Sequence, residues 1–245
     1  MNTPQTLNAL SDDMLAALQN TFDELAQTPD IRAIILRGAG KAFCAGHNLK
    51  EMTAGRAAND GGKAYFADLF ARCAKLMLTI QSLPQPVIAQ AHGIATAAGC
   101  QLVATCDMAV AADDTRFGVN GVNIGLFCST PMVALSRNVP RKQAFEMLTT
   151  GKFIDAARAE QIGLINHAVA HDDLDSATME LAQTVAGKLG AVVKIGKQAF
   201  YKQAQMPVDA AYDYAADVMV QNMMYKDTEE GIAAFIEKRA PKWAR

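Results

Sequence analysis

The sequence predicts an α/β fold built on a parallel sheet, followed by a helical C-terminal region. Three observations carry this expectation. Short apolar runs stand at residues 31–37, 86–91 and 108–112; helix-period segments separate them; and after Pro131 the chain turns mostly helical. Strand, helix and strand in alternation give a parallel sheet with right-handed crossovers.

The first helix opens at Ser11, an N-cap residue followed by Asp12 and Asp13, and Met14, Leu15, Leu18, Phe22 and Leu25 recur at helical spacing until Pro29. Residues 31–37 are β-branched and end at Gly38 and Gly40, as a buried parallel strand does. Residues 53–63 are small, polar and rich in glycine, which predicts a mobile loop. A long helix follows, with Tyr65, Phe66, Leu69, Phe70, Cys73, Leu76, Met77 and Ile80 on its inner face, and Ser82-Leu83-Pro84 stops it. Residues 86–91 and 108–112 are two further strands around a small-residue helix that begins near Ala97. Helices are then expected at 131–137, 141–149, 156–161, 174–189, 192–205 and 210–225. The last segment, 228–239, carries Ile232, Phe235 and Ile236 on one face. No Pro-, Gly- or Ser-rich linker and no internal repeat interrupts the chain, so one domain is expected, about 1–190 as core and about 191–245 as helical region.

A length of 245 residues with 51% hydrophobic content allows a substantial core. A net charge of −2 leaves no electrostatic footprint for nucleic acid or an anionic membrane, and gives an RNA-binding role little support. Five cysteines form no Cys-x-x-Cys pair and suit reduced thiols. No apolar run reaches membrane-span length, and neither a signal h-region nor an Arg-rich transit pattern opens the chain, so a cytoplasmic setting is expected. His92, His167 and His171 show no metal-ligand spacing, and no phosphate-binding glycine loop is present.

Two stretches carry the chemistry. In Ala91–Asp107 a short strand gives way at His92-Gly93 to small residues that open a helix, where unpaired N–H groups and the positive end of the dipole suit a developing oxyanion. In Lys41–Lys50 a strand again runs into a Gly-containing loop, with amides near Gly46 and His47. Two converging amides make an oxyanion hole.

These residues resemble a known family. "KAFCAGHNLKEM" is similar to the Ala-Gly-Ala-Asp-Leu/Ile-Lys-Glu-Met pattern of the enoyl-CoA hydratase/isomerase (crotonase) superfamily. "AHGIATAAGCQLVATCDMAVAADDTRFG" resembles its second motif, and "TLNALS" and "EGIAAFIEKRAPKW" resemble its first helix and its tail. "AAGCQL", "GLFCSTP" and "FYKQ" are most like one branch of it. The resemblance implies a crotonase-like spiral of ββα units with a helical trimerisation region, assembled as a trimer or a dimer of trimers. It implies an acyl-CoA thioester as substrate, with coenzyme A as part of that substrate and no separate cofactor, and a place in fatty acid and acyl-CoA metabolism.

Residue by residue, the resemblance assigns the oxyanion donors to the backbone N–H groups of His47 and Ala98. Alanine is tolerable at 98 if its φ is negative. The His47 imidazole is then expected near the thioester; the backbone role is preferred to a side-chain acid–base role, and an exposed loop histidine is the plain alternative. Gln101 and Gly121 fall where the family has its two catalytic glutamates. An amide takes up no proton at neutral pH, so ordinary hydration is expected to be slow, and Gln101→Glu with Gly121→Glu is expected to restore part of it. Substrate contacts are implied at Leu7, Ala9, Ala45, Gly46, His47, Asn48 and Leu49, at Ala97, Ala98, Gly99 and Asn120, and at Phe235 and Lys238. Lys50 and Lys238 could meet CoA phosphates, against the commoner outcome of solvated surface lysines. Ser129 or Thr130 reads as an N-cap with Pro131 at the first helical position, in preference to Cys128 acting as a nucleophile. Asp107 reads as structural, and Asp113 and Asp114 as a solvated turn.

Two function classes follow: a lyase or isomerase of the enoyl-CoA type with altered proton chemistry, or a non-catalytic acyl-CoA sensor or scaffold. The family also has an antiparallel strand pair ahead of "TLNALS". The edge of the strand at 31–37 is therefore expected to be covered by the first residues and a neighbouring subunit, or else by chain upstream of Met1.

Overall fold

The computed structural model describes residues 1–243. Helix α1 (Asp12–Ala26) is capped as the sequence predicts, with the Ser11 hydroxyl accepting from the Met14 N–H at 3.1 Å. Its buried face, Met14, Leu15, Leu18 and Phe22, packs against helix α3 (Lys63–Ser82), which buries Leu69, Cys73, Leu76, Met77 and Ile80.

A four-stranded, all-parallel sheet lies at the centre of the larger unit, in the order β1 (Ile34–Arg37), β2 (Val87–Ala91), β4 (Met108–Ala112), β7 (His167–Val169). Ile34 pairs with Val87, Ile88 with Met108 and Val110 with His167. Strand β1 is at the edge and only its alternate residues, Ile34 and Leu36, are buried, so the strand is shorter and less enclosed than residues 31–37 predicted. The first residues reach one end of that edge: the Met1 amine donates to the Arg37 carbonyl at 2.8 Å, and the Ala39 N–H donates to the Met1 carbonyl at 3.0 Å.

A second sheet of three short strands was not legible in the sequence. It has the order β3 (Ile94–Thr96), β5 (Arg116–Gly118), β6 (Ile154–Asp155), with β3 and β5 parallel and β5 and β6 antiparallel. Strands of two or three residues are too short to show a period. Between β3 and β4 lies α4 (Ala98–Thr105), buried along its whole length because Ala, Gly and Cys on its first turn let neighbouring backbone approach.

Of residues 53–63, expected to form a loop before the long helix, 53–55 end helix α2 (Leu49–Gly55) and 56–62 form the turn that leads into α3. Gly61 and Gly62 take positive φ there, and Asp60 accepts from the N–H groups of Gly62 and Ala64 at 2.9 and 2.8 Å. Helices α5 (Ser129–Asn138), α6 (Arg141–Thr150), α7 (Ala156–Gln161) and all but the last residue of α8 (Leu174–Ala186) complete this unit, which spans Met1–Val185. The chain from Ala186 onward is a second compact unit holding α9 (Gly190–Gln203), α10 (Val208–Met223) and α11 (Lys226–Ile236). Among the described residues, no helix is long and apolar enough to cross a membrane.

Candidate active site

The two stretches singled out by the sequence are zipped together at the carboxyl ends of β1 and β2. The Phe43 N–H donates to the His92 carbonyl at 3.0 Å and the Cys44 N–H to the Ile94 carbonyl at 3.1 Å, while the Thr96 N–H donates back to the Cys44 carbonyl at 3.0 Å. Two glycines make the approach possible. A Cβ on Gly93 would lie 2.0 Å from the Lys41 carbonyl oxygen, and one on Gly99 would lie 2.1 Å from the Cys44 carbonyl oxygen.

On its other side the loop is stitched to the segment before α1. Leu10 and His47 form a parallel bridge in which the Leu10 N–H donates to the Gly46 carbonyl at 2.7 Å, and the Ala45 N–H donates to the Leu7 carbonyl at 3.0 Å. Gly46, which precedes His47, touches Ala97 and Ala98: a Cβ on Gly46 would meet the Ala97 Cβ at 3.0 Å and the Ala98 nitrogen at 3.4 Å. Ala98 opens α4, so its N–H is among the first-turn donors that the helix itself cannot satisfy. Its φ is negative, and the unusual conformation falls one residue earlier, at Ala97, with φ 49° and ψ −118°. An alanine there stores on the order of 1–3 kcal/mol of backbone strain.

Asn8 was not singled out in the sequence, yet it holds this loop. Fully buried, it donates from Nδ2 to the carbonyls of Ala39 and Ala42, both at 2.8 Å, and accepts from the Thr3 N–H at 2.9 Å. Asn48 caps α2 by accepting from the Lys50 N–H at 3.1 Å and donates to Glu51, whose other oxygen accepts from the Asp12 N–H at 2.9 Å.

A cavity of about 190 Å³ opens beside His47, Ala97 and Ala98, and is otherwise lined by Phe70, Leu126, Phe127, Cys128, Ser129, Thr130 and Pro131. A second cavity of about 370 Å³ adjoins it, lined by Leu49, Met52, Thr53, Arg56, Phe66, Ile124 and Gly125, with Phe70 and Leu126 common to both. Among the described residues, the side chains lining the first cavity that titrate are His47 and Cys128. Burial lowers the His47 pKa, with the Leu10 carbonyl opposing, and burial raises that of Cys128. His47 Nδ1 lies 3.4 Å from the Leu10 carbonyl, whereas Nε2 is buried with no hydrogen-bond partner.

Gln101 is buried at the end of the first turn of α4, its Oε1 without a partner, and it does not line the cavity. Gly121 is buried in a short 3-10 helix, where a Cβ would lie 2.3 Å from the Leu126 carbonyl oxygen and 2.8 Å from Cys128 Sγ. A glutamate cannot be placed there without moving backbone, so the expected restoration through Gly121→Glu has no steric basis. Asn120, beside it, accepts from the Thr96 hydroxyl at 2.6 Å.

Other expectations divide. Ala9 is buried, Leu7 and Leu49 are exposed, and Phe235 and Lys238 are exposed on the second unit. Lys50 is exposed. The N-cap of α5 is Cys128, with Ser129 first in the helix and Pro131 third; Ser129 Oγ donates to Phe127 rather than capping, which corrects the expected cap. Asp107 is structural as expected: its Oδ2 accepts from the Val87 N–H at 2.6 Å, tying the end of α4 to β2. Asp114 lies in an exposed turn, 3.2 Å from His171. All five cysteines are buried and form no disulfide, and burial pushes Cys44, Cys73 and Cys100 up to about 12.

The family model described as enoyl-CoA hydratase/isomerase matches residues 1–245. Enoyl-CoA hydratase domain-containing protein 3, mitochondrial, from Xenopus laevis is 48% identical over 243 residues, covering 99% of this chain and 81% of the relative. The crystal structure of human enoyl coenzyme A hydratase domain-containing protein 3 superposes with a TM-score of 0.93 at 44% identity, over 99% of this chain and 95% of that one. An enoyl-CoA hydratase structure from Mycobacterium smegmatis gives 0.94 at 53% identity, over 98% and 92%. The frog relative and its human counterpart are named as mitochondrial, which overturns the expected cytoplasmic setting. Reduced cysteines report a reducing environment, not a particular compartment. The zipped loops, the mixed α/β architecture and these matches agree: the chain belongs to the enoyl-CoA hydratase/isomerase family.

Proposed function

We propose that this protein binds an acyl-CoA thioester with its carbonyl oxygen between the N–H groups of His47 and Ala98, in acyl-CoA metabolism. The geometry of the two loops supports it, since their close approach sets both residues beside one small, mainly apolar cavity. Ala45, Gly46, Asn48, Leu49, Ala97 and Gly99 belong to the same loops and, with Asn120, which accepts from the Thr96 hydroxyl, are assigned to hold the thioester and its coenzyme A.

One observation carries the chemistry: among the described residues, no carboxylate lines that cavity. Hydration of a conjugated double bond needs a group that takes a proton from water and one that supplies the α-carbon. The Gln101 amide does neither, and Gly121 has neither side chain nor room for one. Each missing acid–base role costs on the order of 10²–10⁴-fold. We therefore read the protein as a lyase or isomerase of the enoyl-CoA type whose crotonyl-CoA hydration is slow or absent. A non-catalytic acyl-CoA sensor is the second reading, favoured by the packing of backbone against Gly121.

Calorimetric titration with short and medium acyl-CoAs, beside turnover on a panel of enoyl-CoAs, tests both. Binding with slow hydration is expected. No heat and no competition at millimolar concentration would sink the thioester reading, and binding without turnover of any panel member selects the sensor. A homotrimer, or a dimer of trimers, is part of the proposal: α10 exposes Val208, Tyr212, Met219, Val220 and Met223, an apolar set that suits burial against another copy. Light scattering at the mass of one chain would refute it.

A further inference from the structure

The second cavity, of about 370 Å³, is apolar but for one charge. Leu49, Met52, Phe66, Phe70, Ile124 and Leu126 supply its walls, and among the described residues Arg56 is the single charged side chain that lines it. The other polar side chain there is spent, since the Thr53 hydroxyl donates to the Leu49 carbonyl at 2.7 Å. We propose that this cavity binds an aliphatic chain ending in a carboxylate, with the chain against the apolar walls and the carboxylate paired with Arg56.

Two features carry this. The first is the place of the guanidinium, whose Cζ lies 5.1 Å from the centroid of the Phe66 ring, itself part of the cavity wall. The turn before α3 is shaped for that contact, because a Cβ on Gly62 would lie 2.9 Å from Phe66 Cε2 and 3.1 Å from the Arg56 Cα. A ring face attracts the cation but offers it no acceptor atom, so the N–H donors remain for a planar anion that can take two of them side by side. A cation at the end of α2 also suits the helix dipole, yet that benefit requires neither ring nor cavity beside it.

The second feature is that the neighbouring acids are already engaged. Asp60 accepts from the N–H groups of Gly62 and Ala64, while Glu51 accepts from the Asn48 side chain and from the Asp12 N–H. The charge that answers Arg56 must then come with a ligand, and the six apolar side chains require that ligand to carry a hydrocarbon stem. Two sources supply this chemistry. The carboxylate is either the far end of an acyl group whose thioester lies in the first cavity, which rests on the thioester reading above, or the head of a free carboxylic acid. Phe70 and Leu126 line both spaces, so the position of that wall decides between them.

Calorimetry on wild type, Arg56→Met and Arg56→Lys tests both sources. Adipyl-CoA and suberyl-CoA are compared with hexanoyl-CoA and octanoyl-CoA for the first, and octanoate with octanol for the second. For the true source, the acid-ended member of the pair is expected to bind about tenfold more tightly in wild type, the lower range for a hydrogen bond to a charged group. That ratio is expected to fall to one or below in Arg56→Met, to an intermediate value in Arg56→Lys, and to shrink as salt is raised, because Arg56 is exposed. A ratio taken within one variant does not depend on how much of the sample is folded. Octanoate that binds together with butyryl-CoA assigns the free acid; a preference confined to the thioester pairs assigns the acyl terminus. Equal affinities within every pair, or a preference that Arg56→Met retains, would overturn the proposal. A wild type that binds no acyl-CoA overturns the thioester reading, and octanoate against octanol then decides this one alone.

Discussion

The His47 imidazole meets the Phe70 ring edge-on, with centroids 5.8 Å apart and planes at 72°. Phe70 also stands, with Leu126, in the wall between the cavities of about 190 and 370 Å³. A cavity of about 150 Å³ holds a benzene ring, so the first cavity has room for a short acyl group before Phe70 stops it. Phe70→Ala is expected to join the two spaces and to move the preferred acyl chain to greater length. Each methylene newly buried should gain about fourfold in affinity, from about 0.8 kcal/mol per CH₂. Calorimetry across C4 to C12 acyl-CoAs checks it; an unchanged order of affinities would show that Phe70 is not the stop.

Gly99 is a second sensitive point, because its missing Cβ is what lets α4 reach the Cys44 carbonyl. Gly99→Ala forces the loops apart and is expected to cost about 1–3 kcal/mol as overpacking does, and to abolish acyl-CoA binding by separating His47 from Ala98. Urea unfolding and a binding titration on the same sample measure the two effects.

Gly121→Glu should destabilise rather than reactivate. Its side chain meets the Leu126 carbonyl and Cys128 before it can point a carboxylate at a substrate. The double variant with Gln101→Glu is expected to melt lower than wild type and to show no gain in crotonyl-CoA hydration, read by thermal unfolding and absorbance of the conjugated thioester.

Asn8→Ala leaves the carbonyls of Ala39 and Ala42 and the N–H of Thr3 without their partner, at about 1–3 kcal/mol for each buried group orphaned. Asn8 also has φ 53°, a conformation asparagine tolerates better than alanine. Loss of several kcal/mol by denaturant titration is expected; a change under 1 kcal/mol would show that water replaces these bonds.

Stability should depend on pH through His47. Burial holds its native pKa below that of the unfolded chain, so above 6.5 both states are neutral and nothing changes. Below 6.5 the unfolded chain takes a proton that the native ring resists. Stability then falls as pH drops, until the lowered native pKa is passed and the loss levels off. The melting temperature of wild type is expected to drop more between pH 7.5 and 5 than that of His47→Gln.

The sequence by itself determined the α/β class, the parallel core and the two loops of the site. Those features rest on local signals: β-branched runs, glycines that admit close backbone, Ser11 as a cap, and small residues opening α4. The family resemblance also lay in those contiguous stretches. Tertiary structure decided the rest. The three short strands of the second sheet have no period to read, and the turn before α3 is built from Asp60 and two positive-φ glycines. Asn8 gained its role from carbonyls more than thirty residues away. Whether Gly121 could bear a carboxylate depended on where the Leu126 carbonyl stood. These are contacts between segments distant in sequence, so spacing carries no trace of them; only packing sets which atoms meet.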